Sequence, residues 1–264
     1  DRSPSRGLGD VYKRQQLAPV NVGYTAGIET TKVSSEWLRR ASIMDKIIVV
    51  SNHSKQVFEN TTYVSENPSS DELLKCLIPV DVVNYPVKNI KEDRLDLELE
   101  NDFNFLIVSQ LGPRKNIENT IRWFIEEFKD DNVGLVVKTF LAKNSIIDRY
   151  FCKEVMNRIV SDYPDKKCNI NLLHGLLTDE QMTSLYKNPK IKALVSLTHG
   201  EGFGLPLFEA AYNELPVVAP DWSGQTDFLY VQTKDKKNKI KNKPMFSKID
   251  FELIRKHFKE WEHH

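Results

Sequence analysis

The chain lacks the features that mark several common classes of protein. It has only three cysteines, Cys76, Cys152 and Cys168, which are odd in number and form no CxxC pair. This usage argues against a disulfide framework or a cysteine-based zinc site and is typical of thiols in a reducing compartment. No apolar run approaches the roughly 18–20 residues of a membrane-spanning helix. We therefore expect a soluble, cytoplasmic protein.

Neither sign of charge is in excess, because 37 lysines and arginines balance 37 aspartates and glutamates. A general nucleic-acid binder carries a strong basic excess, so we expect no nucleic-acid partner. One lysine-rich run, at 234–243, is interpreted as a solvated loop, with peripheral contact to an anionic membrane as the alternative. The GxGxxG motif is also missing after the predicted strands, which disfavours a nicotinamide-binding protein.

The first fifteen residues differ from the rest of the chain in their hydrophobic pattern. Residues 1–15 show no amphipathic period and lack the apolar core of a signal peptide. They resemble translated adaptor sequence, so they are left out of the fold prediction. We expect the chain to be a fragment of a protein that begins further upstream.

Predicted strands alternate regularly with predicted helices from residue 103 onward. Short apolar strands between helices are typical of a parallel sheet covered on both faces. We predict strands at 103–109, 134–139, 170–173, 193–197 and 217–219, and helices at 117–128, 146–160, 178–186 and 206–213. The fold class is therefore α/β, with a doubly wound, Rossmann-like parallel sheet whose ligands bind beyond the carboxyl ends of the strands.

Upstream of this sheet the sequence predicts a partial N-terminal α/β domain. Its elements are a helix at 37–44, a strand at 46–50, a helix at 52–60 and a strand at 80–83. The predicted organisation is a partial domain over 16–95, a C-terminal domain over 96–230, and a lysine-rich loop with a terminal helix over 231–264.

A glycine-rich turn between a predicted strand and helix carries the clearest chemical signal. Gly200, Gly202 and Gly204 alternate along it, which lets the backbone approach a ligand closely and adopt positive φ. Pro206 follows in the first turn of the next helix, a favoured place for proline. The unpaired N–H groups at that helix end form an anion site suited to a diphosphate.

Two carboxylates, Glu201 and Glu209, accompany this anion site. Beside a phosphate site they make sense as acceptors for hydroxyl groups, because an ionised carboxylate accepts strong hydrogen bonds. A ligand that joins a sugar, a diphosphate and a ribose fits this arrangement. The alternative without a ligand is that Glu201 is a solvated loop residue and that Glu209 only complements the helix dipole.

The stretch EGFGLPLFEAAYNELPVVAPDWSGQTDFL resembles the donor-site block of retaining GT-B glycosyltransferases, especially family 4, and its Glu201 and Glu209 match that family's E-x7-E motif. The resemblance implies transfer of a sugar from a nucleotide diphosphate sugar to an acceptor hydroxyl, with retention of configuration. It implies that Glu201 contacts the donor sugar in catalysis and that Glu209 contacts the ribose. The donor-binding residues further implied are Gly202, Phe203, Gly204 and Leu205.

A second stretch, SQLGPRKN at 109–116, resembles the family's G-R-L-x-x-x-K-G segment. Lys115 matches the family lysine, which implies that it neutralises the diphosphate in binding and catalysis. Gln110 replaces the family arginine, and we expect Arg114 to supply the missing charge. His199 is a further candidate donor contact. The family's usual independence of divalent metals implies no metal ion and no bound cofactor.

The resemblance covers roughly residues 23–229, and several departures from the family pattern stand within it. The family's glycine-rich acceptor loop and catalytic histidine have no counterpart here. Glu214 occupies the place of a helix-ending glycine, and we expect Asn213 to take the left-handed turn instead. His53 and His174 are expected to be structural.

Two other functions stay open at this point. One is a non-catalytic nucleotide- or sugar-binding module, favoured by Gln110, and the other is a GT-B phosphorylase that uses free phosphate.

Overall fold

The computed structural model describes residues 18–64 and 73–254. The adaptor-like residues 1–15 lie outside that range. The predicted terminal helix falls largely on residues 255–264, which also lie outside that range, and residues 251–254 are irregular. Within the described part of the chain, no helix combines the length and the apolar content needed to cross a bilayer.

The chain divides into two compact units. Of the described residues, the first comprises those up to Val87 together with Gly200–Gly204 and Trp222–Phe228, and the second comprises the others from Lys88 to residue 254. The sequence predicts the boundary between residues 95 and 96, a few residues after the boundary between Val87 and Lys88 that the structure shows. Two pieces of the predicted C-terminal domain thus belong, by their contacts, to the first unit.

The first unit is built on a three-stranded parallel sheet of order β1-β2-β5. Its elements are β1 (Val22–Thr25), α1 (Ser35–Ala41), β2 (Lys46–Val49), α2 (Asn52–Asn60), the antiparallel pair β3 (Thr62–Val64) and β4 (Leu73–Lys75), and β5 (Val80–Val82). The predicted helices and strands of this region are all present. Sequence reasoning missed β1 and the β3–β4 pair, which are short.

Local chemistry explains why these elements begin where they do. The Ser34 side chain caps α1 by accepting from the Trp37 backbone N–H, and the Ser51 side chain caps α2 by accepting from Ser54 N–H. The apolar residues Leu38, Ile47 and Phe58 are fully buried and pack in one cluster. Burial of this cluster gives the unit its own hydrophobic core.

The second unit contains a six-stranded parallel sheet of order β13-β10-β9-β6-β7-β8. Its strands are β6 (Asn104–Gln110), β7 (Gly134–Phe140), β8 (Asn169–Leu173), β9 (Ile191–Val195), β10 (Val217–Pro220) and β13 (Ser247–Ile249). The helices between them are α3 (Ile117–Phe128), α4 (Ile146–Ser161), α5 (Asp179–Tyr186) and α6 (Leu205–Tyr212). The predicted doubly wound α/β fold is confirmed.

The helices of this unit follow from amphipathic spacing and from their caps. In α3 the buried residues Ile117, Ile121, Phe124 and Ile125 recur at helical spacing and pack on Leu135 and Val137 of β7. At the start of α5, Thr178 and Gln181 form a reciprocal capping box.

The loop predicted for the lysine-rich run is wrong. The run forms an antiparallel hairpin in which β11 (Tyr230–Lys234) pairs with β12 (Ile240–Pro244). Its turn is set by the Asp235 carboxylate, which accepts from the backbone N–H groups of Lys237 and Lys239, and by Asn238 at φ 59°. Every residue of β12 is exposed, so no apolar alternation signals a strand in the sequence.

Candidate functional site

The three glycines of the turn after β9 are present for two different reasons. Gly204 has φ 91°, which confirms the predicted positive φ at that position. Gly200 and Gly202 lie outside the left-handed region and instead leave no room for a side chain. A Cβ on Gly202 would lie 2.5 Å from Gly27 Cα, and one on Gly200 would overlap the carbonyl oxygen of Glu29. At Gly200 and Gly202 the group that approaches closely is therefore backbone of the first unit and not the predicted ligand.

Glu201 and Phe203 are anchored in the first unit. Glu201 is 7% exposed; its backbone N–H donates to Ser223 Oγ at 3.1 Å and its carbonyl accepts from Gly224 N–H at 2.8 Å. The Phe203 ring packs edge-on against Tyr85, with the ring centres 5.3 Å apart. The side chain of Phe203 therefore packs within the first unit, and the approach of its backbone to a donor stays a prediction.

Helix α6 begins as the sequence predicts, with Leu205 first and Pro206 second. Glu209 lies about one turn from its start and is exposed, and its Oε2 accepts from the Tyr186 hydroxyl at 2.9 Å. Burial, together with the nearby Glu209 charge, raises the pKa of Tyr186 well above its ordinary value. The phenol therefore stays protonated and keeps donating, which holds the carboxylate in place.

A 3-10 turn at Pro113–Lys115 carries the two predicted basic residues. It ends at Asn116, which has the left-handed φ of 55°, and the Asn116 amide donates to the Leu197 carbonyl at 3.1 Å. The Arg114 carbonyl accepts from the His199 backbone N–H at 2.9 Å and from the Thr198 hydroxyl at 3.3 Å.

Because β6 and β9 are neighbours in the sheet, these bonds fasten the basic turn after β6 to the segment 197–199 after β9. Both lie at the carboxyl edge, where parallel sheets bind ligands. The fold thus brings the segments that carry Arg114, Lys115 and His199 together within the second unit. Arg114 and Lys115 are half-buried, and His199 is exposed.

Gln110, which replaces the family arginine, is turned toward a neighbouring loop. Its Nε2 donates to the Leu141 carbonyl at 2.8 Å, and the residue is exposed. The Gln110 amide thus forms its hydrogen bond with the segment that follows β7. Arg114, in contrast, belongs to the basic turn itself.

The expected left-handed turn at Asn213 is wrong, because Glu214 takes it with φ 62°. Asn213 is still tied to the helix: its backbone N–H and its side-chain amide both donate to the Glu209 carbonyl. The Leu215 N–H then donates to the Ala210 carbonyl at 3.0 Å, which closes a Schellman motif and fixes the left-handed position one residue later.

One buried cluster has the composition of a metal site, since ligand atoms of Asp148, Cys152 and His174 all lie within 4.8 Å of one another. The Asp148 carboxylate already accepts from the four backbone N–H groups of residues 141–144, at 2.7–2.9 Å. A carboxylate offers about four lone-pair positions, so these bonds use its capacity. We interpret the cluster as a clamp on the turn after β7.

Sequence reasoning missed Tyr186 as a partner of Glu209. The residue stands on α5 with the apolar spacing of a core residue, and nothing in the sequence places its hydroxyl next to α6. A cavity of about 720 Å³ also touches Tyr186. It is bounded by Pro189 and Pro216, which precede β9 and β10, so it lies at the amino edge of the sheet, away from the predicted site.

Comparison with known proteins gives both a sequence relative and structural neighbours. A segment of 121 residues, 45% of this chain, is 31% identical to the serotype-specific mannosyltransferase WbdA of Escherichia coli, of which it covers 13%. No protein-family model matches the chain. The chain therefore corresponds to a small part of this much longer relative.

Solved structures of two synthases resemble the fold. Sucrose-phosphate synthase from Thermosynechococcus elongatus superposes with a TM-score of 0.57 at 16% identity, over 81% of this chain and 53% of that one. The UDP-forming α,α-trehalose-phosphate synthase from Burkholderia vietnamiensis gives 0.53 at 12% identity, over 79% of this chain and 53% of that one. At such low identity the likeness concerns the fold, which is that of the GT-B glycosyltransferases.

Proposed function

We propose that this chain, which has the GT-B glycosyltransferase fold, supplies the donor-binding part of an enzyme that moves a sugar from a nucleotide diphosphate sugar to an acceptor hydroxyl, with retention of configuration. The observation that carries the proposal is the fastening of the basic turn at Pro113–Lys115 to residues 197–199. This places two cations at the carboxyl edge of the sheet, where the chain continues through the glycine turn into α6.

In the proposal, the basic turn stabilises the negative charge that develops during the reaction. As the glycosidic bond breaks, negative charge grows on the departing diphosphate. In the proposal Lys115 and Arg114 stabilise that charge, together with the N–H groups at the Leu205 end of α6. The turn that carries both cations is fixed by hydrogen bonds to residues 197–199 before the donor arrives, which limits the reorganisation needed during the reaction.

In the proposal, the carboxylates of Glu201 and Glu209 accept hydrogen bonds from the uncharged hydroxyl groups of the donor. We assign the ribose hydroxyls to Glu209, because its second oxygen is held by the buried Tyr186 hydroxyl and the residue remains exposed. We assign the transferred sugar to Glu201, which the resemblance implies and which stands in the glycine turn. Positioning of this kind lowers the barrier by presenting the anomeric carbon in a reactive geometry.

The similar proteins suggest which donors to try first. The matched relative is a mannosyltransferase, and one structural neighbour is described as UDP-forming. We therefore propose GDP-mannose and UDP-glucose as the first test donors, with no metal or other cofactor added. The acceptor is proposed only as a hydroxyl group.

Calorimetric titration of the chain with these two nucleotide sugars tests the proposal. We expect saturable binding of at least one, weakened by roughly tenfold or more in Lys115→Ala, because a charge-assisted contact to phosphate is removed. The control is Lys129→Ala, an exposed lysine just after α3. Binding of free sugar or orthophosphate with no affinity for either nucleotide sugar would instead favour the binding module or the phosphorylase.

A further inference from the structure

Lys138 is a buried cation near the carboxyl end of β7, and the proposed function does not use it. Only 8% of the residue is exposed, and it pairs in register with Val108 of β6 and Leu173 of β8. Leu135 and Val137 of the same strand point into the core formed with α3 and α4. Since side chains alternate along a strand, Lys138 stands on the opposite face.

The ammonium group of Lys138 has spare hydrogen-bonding capacity. Its Nζ donates to the Gly175 carbonyl at 2.6 Å, and an ammonium group carries three donors and no acceptor. Throughout residues 18–64 and 73–254, no carboxylate forms an ion pair with it, and burial lowers its pKa. Buried cations in proteins are paired or bound to a ligand, because an unpaired one is costly.

The position of Lys138 in the sheet relates it to the proposed donor site. β7 lies beside β6, whose end carries the basic turn, and β8 lies beyond β7. Neighbouring strands are about 4.8 Å apart, so Lys138 lies roughly one strand from the proposed phosphate position. Gly175, whose carbonyl accepts from Lys138 Nζ, follows β8 at the same edge of the sheet. A nucleoside that starts at the basic turn and runs along the carboxyl edge in the direction of β7 and β8 passes Lys138.

We propose that Lys138 Nζ donates a hydrogen bond to a ring-carbonyl oxygen of the donor's nucleobase, so that the site selects uracil or guanine over adenine. Guanine and uracil carry a carbonyl acceptor where adenine carries an amino donor. A group with donors only complements the former and opposes the latter. The inference rests on the proposed function, because it assigns the base end of the same donor site.

A contact to phosphate is the competing role for the same ammonium group. In that case every nucleoside diphosphate gains equally from Lys138, whatever its base. A contact to the base instead gives an effect that depends on the base, and this difference separates the two roles.

The test is calorimetric titration of the full chain with UDP, GDP and ADP, for the wild type and for Lys138→Met. Methionine keeps the length and removes the charge. We expect the wild type to bind UDP or GDP at least roughly tenfold more tightly than ADP. We expect Lys138→Met to weaken that binding roughly ten- to hundredfold and to leave ADP within about threefold. The control is Lys153→Met, an exposed lysine on α4.

Three results would overturn the inference. They are a wild type that does not discriminate against ADP, a variant that loses affinity for all three ligands alike, and a variant that loses none. The first can be read from the wild type alone, so it holds even if Lys138→Met fails to fold. If the wild type binds no nucleotide at all, the proposed function itself fails, and that outcome is distinct from the other three.

Discussion

The Tyr186 hydroxyl donates to Glu209 Oε2 at 2.9 Å and thereby joins the end of α5 to the exposed face of α6. Tyr186 is almost completely buried, whereas Glu209 is exposed. A buried donor thus fixes one oxygen of a carboxylate whose surroundings remain accessible. This is the geometry expected of a pre-oriented acceptor for ligand hydroxyls.

We predict that Tyr186→Phe weakens nucleotide binding by several-fold and costs about 1 kcal/mol of unfolding free energy. The ring still fills its buried space, and the freed carboxylate is solvated, so the loss is that of one hydrogen bond. Calorimetry and urea denaturation measure the two quantities. Tyr212→Phe, on an exposed tyrosine of α6, is the matched control. Unchanged nucleotide affinity in Tyr186→Phe would show that the hydroxyl does not position a ligand-binding carboxylate.

We predict that Gly202→Ala destabilises the chain by about 1–3 kcal/mol, because overpacking forces the backbone to shift. The new Cβ would lie 2.5 Å from Gly27 Cα and 2.6 Å from the Ala26 carbonyl oxygen. Thermal unfolding measures the effect. Gly112→Ala is the control, since no heavy atom lies within 4 Å of a Cβ there and its φ of −177° is open to any residue. Equal stability of the two variants would contradict the close approach seen at Gly202.

Asp148 gives a prediction with a defined dependence on pH. Burial acts to raise the pKa of this carboxyl, but the four backbone N–H bonds outweigh burial and hold the pKa well below its ordinary value. A folded-state pKa below the unfolded one stabilises the protein above the unfolded value, about 3.9, and this stabilisation is lost as the pH falls toward the folded value.

We therefore predict that Asp148→Asn lowers the unfolding free energy at pH 7 by about 2–4 kcal/mol, since an amide cannot accept all four bonds. The difference from the wild type should shrink as the pH falls below about 4. Urea denaturation at pH 7 and at pH 3 measures it. Asp130→Asn, an exposed aspartate after α3, is the control. A difference that stays constant between the two pH values would contradict the role assigned to the carboxylate.

Much of the fold was predictable because the information is local. The strands of the parallel sheet are short apolar runs, and residues such as Ser145 and Thr178 mark helix starts by capping chemistry. The site was predictable where it depends on a turn: Gly204 has the positive φ and Pro206 stands in the first turn of its helix. The donor-binding roles of the site residues stay predictions.

The failures have different physical origins. The hairpin β11–β12 is exposed on both faces, so no apolar pattern reveals it. The left-handed residue is Glu214 and not Asn213, because tertiary burial of Leu215 and its bond to Ala210 fix the end of α6. Tyr186 and Lys138 have the sequence setting of ordinary core and strand residues, and only the fold shows which groups their polar atoms meet.

In the proposed function, this chain binds the nucleotide of a sugar donor through the carboxylate of Glu209 on α6. Its most direct test is calorimetric titration of the wild type, Glu209→Ala and the control Glu127→Ala with UDP and GDP, alongside thermal unfolding of each. We predict that Glu209→Ala loses about 1–3 kcal/mol of nucleotide binding free energy and still folds, with about 1 kcal/mol less unfolding free energy because the Tyr186 hydroxyl loses its acceptor. Wild-type affinity in Glu209→Ala, or no nucleotide binding by the wild type, would contradict the account.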